Sequence, residues 1–315
     1  MQALRQDEKP YYSLDYYLKE SFGEKIYKIA LDGGFTCPNR DGTLDTRGCI
    51  FCSQGGSGDF AAASLPEGLT LFGDKKTGNR FIAYFQAYSN TYGPIETLRS
   101  LYSQALSLPE VAGISIATRP DCLPNDVILL LDELRQNFPD KLIWVELGLQ
   151  TCHENTISYI RRGYKNAVFE SAVSSLHAIQ IPVIVHVILG LPGETLADML
   201  ETIDYVNHFS VFGIKLQLLH VLRGTDLVAD YLEGKFQVME LNDYIITLIA
   251  CLRRLSPHTV VHRLTGDGPK TQLIAPLWSC SKRTVLNTLH RTMKELNCHQ
   301  GDLYQFPENE RSVQL

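Results

Sequence analysis

The chain predicts an α/β fold, a parallel sheet covered by helices, on two observations. Short unbroken apolar runs recur along its length, and stretches with one apolar helical face separate them. IYKIAL at 26–31 and FIAYFQ at 81–86 read as the first two strands, being rich in β-branched and aromatic residues. Strands over 111–117, 142–148, 183–189 and 213–219 follow on the same grounds. Helices are expected over 94–108, 124–137, 153–162, 166–179, 195–209 and 239–255. The second of these opens on Pro124, whose fixed φ suits a first turn, and VILLLDELRQNF then keeps its apolar residues on one face. The helix at 195–209 is entered through a Pro192–Gly193 turn, then Glu194 and Thr195. A closed eight-stranded barrel, a doubly wound sheet and an open six-stranded partial barrel all satisfy this order.

At 315 residues and 44% hydrophobic content the chain can bury one barrel-sized core or two smaller ones. A formal charge of −6 implies no global attraction to nucleic acid. Eight cysteines are too sparse for a disulfide scaffold at this length, and the charged start MQALRQDEKPYY carries no secretory apolar segment. A reducing cytoplasm is the expected location. No membrane partner is expected either, because the apolar run YIITLIACL at 244–252 is far short of the roughly 18 residues of a span. No internal repeat or low-complexity tract is evident.

The chemistry centres on Cys37, Cys49 and Cys52, in CPNRDGTLDTRGCIFC directly after the first strand. A close pair with a third thiol 11 intervening residues upstream gives three soft ligands, not four. That set suits an iron–sulfur cluster with one iron left open to a small molecule. Structural zinc completed by a distant Cys or His is the first alternative. A plain buried cysteine group is the second, and the polar NRDGTLDTRG loop argues against it.

CIFC, with Phe51 before its last cysteine, resembles the end of the radical S-adenosylmethionine signature. The spacing Cys-X11-Cys-X2-Cys is wider than usual there, and is similar to a bacterial subgroup related to the radical-SAM domain of the Elongator catalytic subunit. GGSGD at 55–59, FIAYFQAYSNTY at 81–92, ATRPD at 117–121, VELGLQT at 145–151 and VILGLPGET at 187–195 extend the likeness over most of the chain. The resemblance selects a fold: a partial (β/α)6 TIM-like barrel with a C-terminal extension, open on one side to a large substrate. It divides the chain into an N-terminal extension (1–24), the barrel core (25–220) and final helices with a basic extension (221–315). It implies a [4Fe–4S] cluster on the three cysteines with S-adenosylmethionine on the fourth iron, and an electron donor such as flavodoxin or ferredoxin. Some members of the wider group act on wobble uridines of transfer RNA, so alteration of a carbon substituent on a transfer-RNA uridine is the expected reaction. A small metabolite or tetrapyrrole as substrate is the alternative, and an iron–sulfur electron carrier or sensor is an alternative of another kind.

Loops at the C-terminal ends of parallel strands build the sites of barrels. On the resemblance, Glu146, Gln150, Arg119, Gly190, Gly193, Gly55 and Gly56 in such loops and strand ends face the cofactor. Glu146 lies in the apolar run WVELGLQ, where a carboxylate needs partners, so an internal network is its competing role. For Arg119 the competing role is an ordinary strand-end salt bridge, and for the glycines a simple turn. His186 in VIVHVI reads equally as a core or a barrel-facing histidine. Cys152–His153, Cys280 and Cys298 are weaker ligand or thiol candidates.

Between His258 and Gln300 six basic residues oppose Asp267 and Glu295, a local charge of +4 in an acidic chain. Lys282, Arg283, Arg291 and Lys294 in SKRTVLNTLHRTMKEL are the expected phosphate contacts to transfer RNA, a solvated helix face being the plainer reading. HRLTGDGP at 262–269 is expected to add a backbone-lined pocket.

Overall fold

Helical crossovers are what allow strands adjacent in sequence to lie parallel. In the computed structural model, which describes residues 9–72, 78–266 and 268–305, that rule orders nearly the whole chain. Residues 1–8 of the expected N-terminal extension, Asp267 of HRLTGDGP and residues 306–315 lie outside the described residues. Helix α1 (Leu14–Phe22) precedes β1 (Tyr27–Leu31), α2 (Leu65–Phe72), β2 (Phe81–Phe85), α3 (Ile95–Leu106) and β3 (Val111–Thr118). Next come α4 (Asn125–Asn137), β4 (Leu142–Gln150), α5 (Glu154–Tyr159), α6 (Asn166–Ala178), β5 (Val183–Leu189), α7 (Leu196–Asn207) and β6 (Gly213–Leu218). The remainder is β7 (Val221–Leu222), α8 (Leu227–Leu232), α9 (Leu241–Arg254), β8 (Val260–Arg263), β9 (Leu273–Ala275) and α10 (Lys282–Glu295).

Seven strands form one parallel sheet in the order β1-β2-β3-β4-β5-β6-β8, curled and open between β1 and β8, while β7 and β9 pair antiparallel outside it. The partial barrel expected from the resemblance is thus present. Beyond it, the segment after residue 220, expected to hold only helices and an extension, contributes β8 as a seventh parallel strand. Its VVHR is too short to carry a period and ends on two polar residues, so pattern does not reveal it. Nor does pattern reveal α1, which starts at Ser13, whose hydroxyl accepts from the Tyr16 amide. The chain just before α1 pairs with β8 through the Val261 amide and the Tyr12 carbonyl, 2.7 Å, covering an edge that would otherwise be bare.

Every residue of β2 and β3 is buried, as for a sheet wrapped on one face by helices and curled about its own interior on the other. Leu98, Leu130, Phe169, Ile203 and Leu248 from the covering helices pack on the outer face. Inside, the two-residue period stacks side chains in layers. Ile82, Trp144 and Ile184 pack with Leu18 of α1 to close the bottom of the barrel. Two residues further along β2, β4 and β5 come Tyr84, Glu146 and His186, and the interior turns polar at that level.

Candidate active site in the barrel mouth

The segment between β1 and α2 folds across the C-terminal ends of the strands as a series of tight turns. The Arg40 amide donates to the Cys37 carbonyl (2.8 Å), Gly48 to Asn39 (2.7 Å) and Cys52 to Cys49 (3.0 Å). Ile50 anchors the segment, buried among Ile160 and Leu227. Two polar side chains fix the rest: Asn39 Nδ2 donates to the Arg161 carbonyl at 2.8 Å, and Arg40 Nη2 to the carbonyls of Cys52 and Ser53 at 2.9 and 2.6 Å. Sequence reading passes over both, since one asparagine and one arginine in a polar loop carry no pattern.

Cys37, Cys49 and Cys52 consequently line a single cavity. Burial pushes the Cys49 thiol up to about 12; Cys52 and Cys37 push the same way, and the Arg119 guanidinium opposes them. Burial raises Cys52 too, against the pull of Arg40. Such thiols deprotonate when a metal takes the place of the proton. They share a cavity without converging on one point: among the described residues, only His153, Asp198 and Glu201 bring three ligand atoms within 4.8 Å of one another. Spread thiols fit a cluster, which takes each on a different iron, better than one tetrahedral zinc. Ser89, fully buried, is part of the same lining.

Of the other expected site residues, Gly56, Arg119, Glu146 and Gln150 line this cavity. Gln150 (φ 62°), Tyr88 (φ 57°) and Ser57 (φ 67°) are non-glycine residues held in the left-handed region on its wall, a concentration of strain typical of working sites. Gly56 is required by a close approach: a Cβ there would stand 2.3 Å from the Tyr88 ring. Arg119 holds Asp121 through two bonds of 2.9 and 2.7 Å and lies over the Tyr164 ring, so a strand-end ion pair and a place in the cavity coexist.

The other expected site residues lie outside this cavity or already have partners. Gly190 and Gly193 line a separate cleft with Phe236 and Met239, because Gly190 (φ 81°) turns the chain outward under Met239 and Glu194 is held by the Thr151 hydroxyl at 2.5 Å. Gly55 does not line the cavity and sits behind Gly56 against Asp59. Glu146 offers the cavity no free oxygen. Its Oε1 accepts from Lys28 (2.7 Å) and Ser115 (2.6 Å), its Oε2 from His186 (2.6 Å) and Lys215.

That arrangement is the polar layer of the barrel, to which β1 through β6 each give one residue: Lys28, Tyr84, Ser115, Glu146, His186 and Lys215. Burial opposes the charge on Glu146, but Lys215, Lys28 and His186 outweigh it and hold the carboxyl well below its usual range. Burial pushes Lys215 down to about 7, against Glu146 and with help from Lys28 and Arg263. His186 is pushed down to about 4 by burial and Lys215. Sequence reading passes over Lys28, Tyr84 and Lys215, yet a signal exists: IYKIAL, WVELG, VIVHVI and GIKLQL each set one ionisable residue within an apolar run.

Three of the remaining candidates are bonded or buried within the fold. His153 Nε2 bonds the Asp198 carbonyl at 2.8 Å, Cys152 Sγ accepts from Thr202, and Cys298 is buried. Gly266 admits the ring of His220, 2.4 Å from where a Cβ would stand, and with Gly268 it lines a cleft that also holds Lys270 and Lys282. On α10, Val285, Leu289 and Met293 face the core while Arg283, Arg291 and Lys294 are exposed. Lys282 stands at the rim of a cavity along the open side of the barrel, with Lys28 and His262.

A curled parallel sheet with a thiol-lined mouth defines a partial-barrel enzyme. The family model of the Radical SAM superfamily matches residues 46–206, and that of the Radical_SAM C-terminal domain residues 211–295. The Bacillus subtilis protein YtqA is 44% identical over 97% of this chain and 96% of its own. Elongator complex protein 3 of Schizosaccharomyces pombe is 24% identical, covering 81% of this chain and 56% of its own. The archaeal Methanocaldococcus infernus Elp3, with an N-terminal deletion, shares the fold at a TM-score of 0.66 and 14% identity, covering 87% of this chain and 64% of that one. The chain belongs to the radical SAM superfamily and is a radical S-adenosylmethionine enzyme. Membership implies an iron–sulfur cluster and S-adenosylmethionine as its cofactors. Among the described residues no helix is long and apolar enough to cross a membrane.

Proposed function

We propose that Cys37, Cys49 and Cys52 hold a [4Fe–4S] cluster at the barrel mouth, that S-adenosylmethionine binds beside it, and that the enzyme alters a carbon substituent of a transfer-RNA uridine. A cluster so held would supply one electron, received from a flavodoxin or ferredoxin, for cleavage of S-adenosylmethionine to methionine and a 5′-deoxyadenosyl radical able to remove hydrogen from an unreactive carbon. The protein's own part is placement and exclusion of water. Arg40 and Asn39 fix the thiol-bearing turns. Gln150, Gly56, Arg119 and Ser89 contribute cavity wall for the cofactor, and Glu146 acts at one remove by holding Lys215 and His186.

The observation that carries this reading is that three thiols from one loop line a single cavity. For the substrate, support comes from the distant likeness to Elongator complex protein 3 and the wide spacing of the cluster loop, together with the basic outer face of α10 beside the open side of the barrel. Comparing modified nucleosides from transfer RNA of a deletion strain and its parent tests it. One uridine derivative should disappear or be replaced by its precursor. An unchanged nucleoside profile with an altered small metabolite overturns the choice of RNA.

A further inference from the structure

We propose that the polar layer of the barrel is an anion site that receives a carboxylate of the substrate, with Lys215 as its main cation. The inference rests on the reading of the cavity above as the reaction chamber, and it adds what the substrate must carry. Three observations support it.

The first is charge. Within the layer two ammonium groups, Lys28 and Lys215, share one carboxylate, Glu146. His186 and His262 are both pushed toward their neutral forms by burial. Tyr84 and Ser115 are neutral, and Arg263, at the upper end of β8, adds positive potential to the lysines. With both lysines protonated the pair exceeds its counter-charge by one, in a layer floored by Ile82, Trp144 and Ile184, and because burial pushes Lys215 down to about 7 that excess is complete only below this pH. One monoanion restores neutrality there.

The second is hydrogen bonding. An ammonium group has three protons. Those of Lys28 meet Glu146, Ser115 Oγ (3.1 Å) and His262 Nδ1 (3.4 Å). Lys215, only 3% exposed, meets Glu146 and the Tyr84 hydroxyl (2.9 Å), which leaves it one proton for a ligand. All four bonds to Glu146 are made within the layer, so that carboxylate has nothing further to accept.

The third is access. Lys215 borders the thiol-lined cavity and also the cavity along the open side of the barrel. A substrate can reach it from that side, past Lys282, without crossing the cluster loop. Lys215 lies three residues before the end of β6, about 10 Å below the strand ends. That depth separates it from a cofactor bound at the rim.

The test uses the full-length protein, with acetate as the probe, substituted for chloride at constant ionic strength. Binding is followed by calorimetry and by the rise in unfolding midpoint that a native-state ligand causes. Acetate should bind and should bind more tightly as the pH falls through about 7, where Lys215 takes up its proton. Lys215→Met should weaken binding about tenfold, the worth of one charged hydrogen bond, and Lys165→Met, on an exposed residue elsewhere, should leave it unchanged. If Lys215→Met does not fold, Lys215→Gln, which removes the charge and keeps a hydrogen-bonding side chain, takes its place with the same expectation. Equal binding by parent and variant overturns the site. Displacement of acetate by S-adenosylmethionine in the cluster-loaded parent also overturns it, because the carboxylate recognised would then be the cofactor's own. Cluster assembly and 5′-deoxyadenosine formation are read separately, so failure here is distinguishable from failure of the proposed function.

Discussion

A carboxylate that is 1% exposed keeps its charge only where donors replace water, and Glu146 has four of them. That saturation supports the proposed role, in which it positions Lys215 and His186. Glu146→Gln should cost about 3–5 kcal/mol in urea unfolding, because two buried ammonium groups lose their counter-charge. Adding Lys215→Met to that variant should recover part of the loss through their coupling. Equal stabilities of the single and double variants would contradict the network. Lys215 also sets a pH slope. Its folded pKa of about 7 lies below the ordinary 10.5, so across that window the unfolded chain holds a proton the folded one lacks, and stability rises with pH. Lys215→Met should lack this contribution.

At the scale of elements, α10 shows how local charge escapes a global sum. Its buried Val285, Leu289 and Met293 recur every four residues, which forces Arg283, Arg291 and Lys294 to the opposite, exposed side. Arg283→Glu/Lys294→Glu should weaken transfer-RNA binding and lower the slope of log affinity against log salt by about 2, one per lost phosphate contact. Cluster content should stay at the parental level. Unchanged affinity across a salt titration would remove α10 from the interface. The central strands were legible because both their faces are buried and their apolar runs are nearly unbroken, as in β2, β3 and β5. β8, of four residues, and α1, in a tyrosine-rich charged segment, owe their structure to each other and to the sheet edge, which no local pattern records.

Across the whole molecule, the curled sheet sets a sealed apolar base, a polar layer above it and a thiol-bearing loop over the mouth. The cysteines could be found in sequence because soft ligands at close spacing are rare. The layer beneath was hidden for the opposite reason: lone lysines in strands are ordinary, and only curling the sheet brings Lys28 of the first strand to Glu146 of the fourth. Gly190 and Gly193 show the converse, a strand-end loop that the backbone turns away from the cavity. The central claim is that Cys37, remote in sequence from the Cys49–Cys52 pair, completes the ligand set. The superfamily match, which begins at residue 46, leaves that claim to experiment. The most direct measurement is 5′-deoxyadenosine formation by anaerobically reconstituted, reduced protein, comparing the parent with Cys37→Ala. The parent should form it and the variant should not, losing also most of the roughly four irons of the cluster. A Cys37→Ala protein that keeps its iron and cleaves S-adenosylmethionine at the parental rate would contradict the claim.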